Sequence, residues 1–167
     1  MNPNQSVYRR TFTGFTVATA LMLTACASVP NPQPVAATIA ATPELSTLSS
    51  LIVKAGLTST LNGAGSFTVF APSNDAFKAV PAKTLEELSA NPGRLTEVLT
   101  YHVLASKAMA QDVKNGPVKT VQGGNIALAK AGAFVTVEDA VVQTADINAT
   151  NGVVHIVDRV LMPPARK

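Results

Sequence analysis

An α+β domain is the fold class this sequence predicts. Apolar residues recur at helical spacing through the first half of the body, and short β-branched runs separated by turn residues fill the second half. A length of 167 residues leaves room for one domain and its appendages. Helices first and strands afterwards is not the alternation that builds parallel βαβ units. Thr42-Pro43 offers an N-cap with proline at N1, and Leu45, Leu48, Leu51, Ile52 and Ala55 follow on one helical face, ended by Gly56. A short turn, Leu57 to Leu61, runs into the breaker Gly63-Ala64-Gly65, and the aromatic, β-branched run Phe67 to Ala71 is a strand stopped by Pro72. Ser73-Asn74 caps a helix carrying Ala76, Phe77 and Val80; Thr84-Leu85-Glu86-Glu87 fits a capping box for the next; Asn91-Pro92 opens a third with Leu95, Val98 and Leu99 on one face. Strands are then expected at His102 to Ala105, Lys119 to Val121, Ile126 to Lys130, Ala133 to Glu138, Ala140 to Gln143 and Val153 to Leu161.

The charge balance narrows the function classes. Thirteen Lys and Arg face ten Asp and Glu. Two of the basic residues, Arg9 and Arg10, precede the uncharged run Thr11 to Ala25, a charged n-region followed by an h-region. That run of about 15 residues falls short of the roughly 20 needed to span a bilayer, so it is expected to be a removable export signal. The remaining near-neutral chain cannot make the basic stripe that phosphate backbones require, which argues against nucleic-acid binding. The run ends in Leu23-Thr24-Ala25-Cys26, which resembles a bacterial lipobox and holds the only cysteine of the chain. A lone cysteine excludes an intramolecular disulfide and a cysteine-based zinc cluster.

The lipobox resemblance implies a mature N-terminus at Cys26 bearing two or three acyl chains, enough to hold the protein on a membrane durably. Ala27, not aspartate, follows the cysteine, which points to the outer membrane if the cell is Gram-negative. Ser28 to Ala41 has three prolines and no charge, so it is expected to be a tether able to lift a domain on the order of 40 Å from the lipid. The expected organisation is a signal peptide over 1–25, a tether over 26–41, a domain over 42–164 and a tail over 165–167.

Three stretches, in this order and spacing, resemble the fasciclin-like domain family. Phe67 to Phe77 (FTVFAPSNDAF) resembles the first box of that family, Tyr101-His102-Val103-Leu104 its tyrosine-histidine motif, and Asn151 to Pro164 (NGVVHIVDRVLMPP) its second box. The resemblance implies a wedge of two β-sheets flanked by short helices, in secreted or membrane-tethered proteins of adhesion and matrix organisation. The boxes themselves are mostly architectural. Pro72 breaks the strand, Ser73, Asn74 and Asp75 can satisfy N–H groups at a helix start, and Phe67 or Phe70, together with Phe77, is expected to anchor strand and helix in the core. Asn151-Gly152 turns the chain into the last strand. There Val153, His155 and Val157 share one face and Val154, Ile156 and Asp158 the other, so the strand is expected to be central and His155 a hydrogen-bonded structural histidine.

No catalytic constellation is visible. Only His102 and His155 supply imidazoles, no H-E-x-x-H, G-x-S-x-G, P-loop or G-x-G-x-x-G stretch occurs, and the adjacent pairs Glu86-Glu87 and Glu138-Asp139 diverge as solvated charges. No catalytic residue, metal ligand or cofactor is assigned. Two binding functions remain. In the first, the domain is an adhesion or interaction module for an envelope or surface protein or polymer. In an animal matrix member of the resembled family, a Glu-Pro-Asp-Ile-Met stretch and the tyrosine-histidine motif serve integrin recognition. Asp146 and Ile147, within Thr144-Ala145-Asp146-Ile147-Asn148, match two positions of that stretch, and Tyr101 and His102 match the motif. For Tyr101-His102 the alternative is a buried helix-to-strand junction, and for Asp146 a turn-capping role. In the second, the resemblance extends to members that bind carotenoids, and the protein carries a hydrophobic small molecule.

Overall fold

The helical periodicity is realised, among the residues 33–164 that the computed structural model describes, as α1 (Val35–Ala41), α2 (Ser46–Lys54), α3 (Thr58–Leu61), α4 (Asn74–Ala79), α5 (Ala82–Ala90) and α6 (Pro92–Tyr101). A 3₁₀ turn, Pro43–Leu45, leads into α2. The caps explain several starts. The Ser73 hydroxyl accepts from the Ala76 N–H (3.2 Å) at α4, and the Asn91 carbonyl oxygen accepts from the Arg94 N–H (3.2 Å) at α6, with Pro92 at N1. Gly56, at φ 68°, takes the left-handed conformation that ends α2.

Seven strands are hydrogen-bonded in one order, β2-β1-β7-β6-β5-β4-β3. They are β1 (Phe67–Pro72), β2 (Val103–Leu104), β3 (Gly116–Lys119), β4 (Asn125–Ala131), β5 (Phe134–Val137), β6 (Ala140–Ala149) and β7 (Gly152–Val157). β1 runs parallel to β7 and the other neighbours are antiparallel. The halves of the wedge, β2-β1-β7-β6 and β5-β4-β3, join where the start of β6 pairs with the end of β5. Leu104 bridges to Thr120, just past β3, and the Val121 N–H donates to the Val103 carbonyl (2.8 Å). First and last strands thus meet, and the sheet curls back on itself.

That curl creates two apolar clusters. Outside it, Val35, Ile39, Leu45, Leu48, Ile52 and Leu95 from the helices cover Val69, Ala71, Val154 and Ile156. Inside it lie Phe70, Leu104, Ile126, Leu128, Val137 and Val157. β7 feeds both clusters and all six of its residues are buried, as expected of a central strand. Each fully buried large apolar side chain contributes about 1.5–3 kcal/mol relative to exposure.

Five expectations need correction, the first because β3 covers Gly116–Lys119 and not the expected Lys119 to Val121. Residues 35–41, placed in the tether, form α1, with Val35 and Ile39 fully buried in the outer cluster. The Gln33 carbonyl accepts from the Thr150 N–H (2.9 Å), so the domain extends at least to residue 33, before the expected boundary at 42. All three prolines of that stretch precede Val35, and averaging over 28–41 hid the apolar i, i+4 pair behind them. Thr84 caps nothing: α5 starts after Pro81 and Thr84 lies inside it. β6 runs six residues beyond Gln143, through two register shifts. β7 ends at Val157, because Asp158 and Arg159 bend away. The expected signal peptide, Cys26 and the tail over 165–167 lie outside the described residues.

Candidate functional site

The residues singled out in the three boxes are joined to backbone groups of distant segments. Tyr101, at the end of α6, is buried in the inner cluster, and its hydroxyl donates to the Asn125 carbonyl (3.0 Å). Burial, and then the Glu138 carboxylate nearby, raise its pKa above the ordinary phenol value. His102 is 2% exposed. Its Nδ1 lies 2.8 Å from the Val98 carbonyl and its Nε2 accepts from the Leu161 N–H (2.9 Å). Two opposite demands fix the neutral tautomer with the proton on Nδ1. Desolvation lowers the His102 pKa to about 4, only partly opposed by the Val98 bond.

That shift has a definite sign. Unfolded His102 binds a proton near pH 6.5 and the folded imidazole only near 4, so the stability from the neutral ring is complete above 6.5 and is lost as pH falls toward 4. His102→Gln, which keeps a donor and an acceptor but cannot titrate, is expected to flatten the fall in Tm between pH 6.5 and 4. Chemical or thermal unfolding across that range checks it; an unchanged slope would place the dependence elsewhere. Burial also lowers the His155 pKa, against the raising effects of the Ala108 bond and the Asp146 charge, so a residual slope of the same sign is expected.

His155 and Asp146 come together. The bulge in β6 puts Asp146 at φ 59°, where its N–H donates to His155 Nδ1 (3.1 Å). His155 Nε2 then donates to the Ala108 carbonyl (2.8 Å), and the ring stacks on Phe70 at 5.5 Å between centroids. The Asp146 carboxylate accepts from the Ala110 N–H (2.9 Å), while Thr68 accepts from the Ala108 N–H (2.8 Å) and donates to the Ser106 carbonyl (2.6 Å). Three side chains from β1, β6 and β7 thereby clasp one loop, 106–110. Asp146, half-exposed, thus holds a loop through its carboxylate, and Ile147 packs against the outer cluster. Tyr101 belongs to the inner cluster and Ile147 to the outer, so the two candidate binding pairs do not form one surface patch.

Several other box residues are also structural. Asn151 accepts from the Val35 N–H (2.8 Å) and donates to the carbonyls of Leu61 (2.8 Å) and Gly63 (2.9 Å). Asn74 serves a neighbour, not its own helix: it accepts from the Thr47 N–H (3.0 Å) and donates to the Pro43 carbonyl (3.0 Å), capping the start of α2. Asp158 accepts from the Val141 N–H (2.7 Å) and prolongs the β6–β7 pairing. Phe70, Pro72, Phe77 and Gly152 are buried. Among the described residues, no three His, Cys, Asp or Glu side chains converge as a metal site, and no buried polar side-chain atom lacks a partner.

The open feature is a surface cleft of about 920 Å³ between the α4–α5 link, α5, α6 and the extended segment after β7. Val80, Pro81, Leu88, Val98, Met162 and Pro163 supply apolar lining; Glu87, Arg94, Glu97 and Arg159 add charges of both signs. Met162 is 44% exposed. One residue earlier, Leu161 is held from inside through His102, so the imidazole fixes a wall of the cleft. Sequence reasoning treated Glu87 as solvated charge and did not find Arg94, Glu97 or Arg159, which lie on separate elements; only Pro163-Pro164, forcing an extended path, hinted at this wall. Two interior cavities beside His102 hold about 20 Å³ each.

Comparison with known proteins agrees with this architecture. The family model for the fasciclin domain matches residues 43–163. Protein sll1483 of Synechocystis is 42% identical over 121 residues, covering 71% of this chain and 67% of that protein. Immunogenic protein MPB70 of Mycobacterium bovis is 39% identical over 137 residues, covering 79% and 70%. Cell surface glycolipoprotein MPB83 of the same species is 37% identical over 138 residues, covering 80% and 62%. The structure of a FAS1 domain pair from the insect cell adhesion molecule Fasciclin I superposes with a TM-score of 0.63 at 15% identity, covering 78% of this chain. This chain spans about half of that pair, 51%.

Proposed function

The chain belongs to the fasciclin domain family, and from that membership we propose that it is a non-enzymatic adhesion or interaction module, held on the bacterial envelope by lipid on Cys26 and binding an envelope or surface partner. The observation that carries this reading is a division of labour in the domain. The histidines of its motifs are engaged inward: each has both ring nitrogens bonded to backbone, so neither is free to act as a general base on a solute. The cleft with its exposed Arg94 and Arg159 is what faces outward. A cell adhesion molecule among the structural relatives and a cell surface glycolipoprotein among the sequence relatives support display at a surface.

A carrier role for a long hydrophobic molecule finds less support. The interior cavities described are too small for more than a water, and the large cleft would strip four charged groups of solvent.

Two measurements test the proposal. Cys26→Ser is expected to release the protein from the membrane fraction, checked by fractionation after a high-salt wash; retention of the variant contradicts lipid anchoring. Cells of the native host lacking the protein are expected to aggregate and attach less than cells carrying it. Equal attachment by both contradicts the adhesive role.

A further inference from the structure

With α1 part of the domain, only residues 26–32 link Cys26 to Gln33, and seven residues span at most about 25 Å when fully extended. A domain tied that closely to lipid touches it with some part of its surface. We propose that it rests on the bilayer through the tip of the β4–β5 hairpin, with Phe134 entering an anionic lipid surface and the cleft turned outward. The inference deepens the anchoring part of the proposed function and rests on it.

Strand directions decide which end meets the lipid. β6 ends at Ala149, and the Thr150 N–H that follows is bonded to Gln33, so the tether leaves from the β6–β7 turn. β5 is antiparallel to β6, which places its first residue, Phe134, toward that same end of the pair. β7 runs the other way, from Gly152 at the tether to Val157, and beyond it Arg159, Met162 and Pro163 line the cleft. Contact at the tether end therefore leaves the cleft facing away from the membrane.

The tip has the chemistry of a shallow lipid anchor. Phe134 is 69% exposed, the most of any large apolar side chain among the described residues. Ala131 pairs with Phe134 across a turn of two small residues, Gly132 and Ala133, so nothing bulky stands beyond the ring. The Lys130 N–H donates to Asn115 Oδ1 (2.7 Å) and its Nζ to the Gln111 carbonyl (2.7 Å), which sets the loop bearing the exposed Lys114 against the hairpin. Two ammonium groups there face one carboxylate, Asp112, a balance that suits anionic headgroups. Val53, 67% exposed, instead stands on α2 among Ser49, Ser50 and Lys54. The four exposed residues 131–134 fall far short of the roughly 20–30 a side of a stable protein interface. An aromatic anchor with basic flanks needs no such area when a tether holds it at the lipid surface.

The test exploits a chain without tryptophan, in which Phe134→Trp is a single reporter at an exposed position. The full chain as its host makes it is extracted in detergent and returned to vesicles of phosphatidylcholine and phosphatidylglycerol, with or without bromine on the acyl chains. The reporter is expected to emit at shorter wavelength than Val53→Trp and to be quenched by the brominated lipid, while Val53→Trp is not. Lys114→Glu, or omission of phosphatidylglycerol, is expected to weaken the quenching. Ala131→Trp, directly across the hairpin, gives the same reading should Phe134→Trp lower Tm. Protein that floats with the vesicles while both tip reporters are quenched no more than Val53→Trp overturns the proposal. A blue shift without quenching also overturns it, since the ring then sits on a second copy or another protein. Protein that does not float at all overturns lipid anchoring and the docked tip with it, so the two failures are distinguishable.

Discussion

Gly152→Ala is expected to destabilise the domain by about 3 kcal/mol or more, lowering Tm by roughly 10 °C or leaving the protein insoluble. Gly152 opens β7 opposite Phe67 of β1 in the parallel pair at the centre of the sheet. A Cβ built there overlaps the Phe67 carbonyl oxygen, stands 2.9 Å from its carbonyl carbon and 3.0 Å from Val35 Cγ2. The obstacle is backbone, which cannot swing aside as a side chain would, and relief would require opening the β1–β7 pairing and lifting α1. Gly93 is the control. It sits inside α6, where a Cβ meets only Asn91 Oδ1 at 3.4 Å, so Gly93→Ala is expected to be neutral or to stabilise by up to about 1 kcal/mol. Circular dichroism melts of the two variants check the pair; equal Tm values would contradict the close approach.

Asn151→Ala is expected to cost about 2–4 kcal/mol, since one side chain serves three backbone groups on two segments. Its loss leaves the first N–H of α1 and two carbonyls at the end of α3 without their partner, which loosens both segments from the start of β7. Asn151→Asp separates this account from a simple loss of volume. The isosteric carboxylate still accepts from Val35 but cannot donate, and it faces the Leu61 and Gly63 carbonyls with negative charge. It is expected to be no more stable than Asn151→Ala in denaturant titration, and a wild-type midpoint for Asn151→Asp would contradict the assignment.

How much of this was legible depends on how local each cause is. Ser73 and Asn91 read correctly as caps because a cap acts within one turn. The central placement of β7 was legible in Val153 to Val157, since apolar residues on both faces leave no solvated side. The fasciclin resemblance, stated on its boxes, holds for the family and the α+β wedge. The partners of Asn74 and Asn151 were not legible, because they lie on segments that only the fold brings near: Asn151 reaches back to Val35 and Leu61. For Asp146 the sequence left a binding and a capping role open, for a physical reason. A polar residue beside Ile147 looks like an exposed tip, yet the bulge turns the carboxylate onto the Ala110 N–H. The cleft was invisible, since its charges come from α5, α6 and the segment after β7 and share no spacing in the chain.

The central claim is that the inward-facing residues of the boxes build the scaffold while the open cleft, to which the second box contributes Arg159 and Met162, meets the partner. The most direct test is attachment of the native host's cells, at matched surface levels, for two variants whose Tm is measured alongside. Tyr101→Phe, which removes the hydroxyl with its bond to Asn125 and its interaction with Glu138, is expected to lower Tm by a few degrees and leave attachment as in the wild type. Arg94→Glu with Arg159→Glu is expected to leave Tm unchanged and abolish attachment. Attachment lost in Tyr101→Phe at wild-type Tm, and kept in the double variant, would contradict the account.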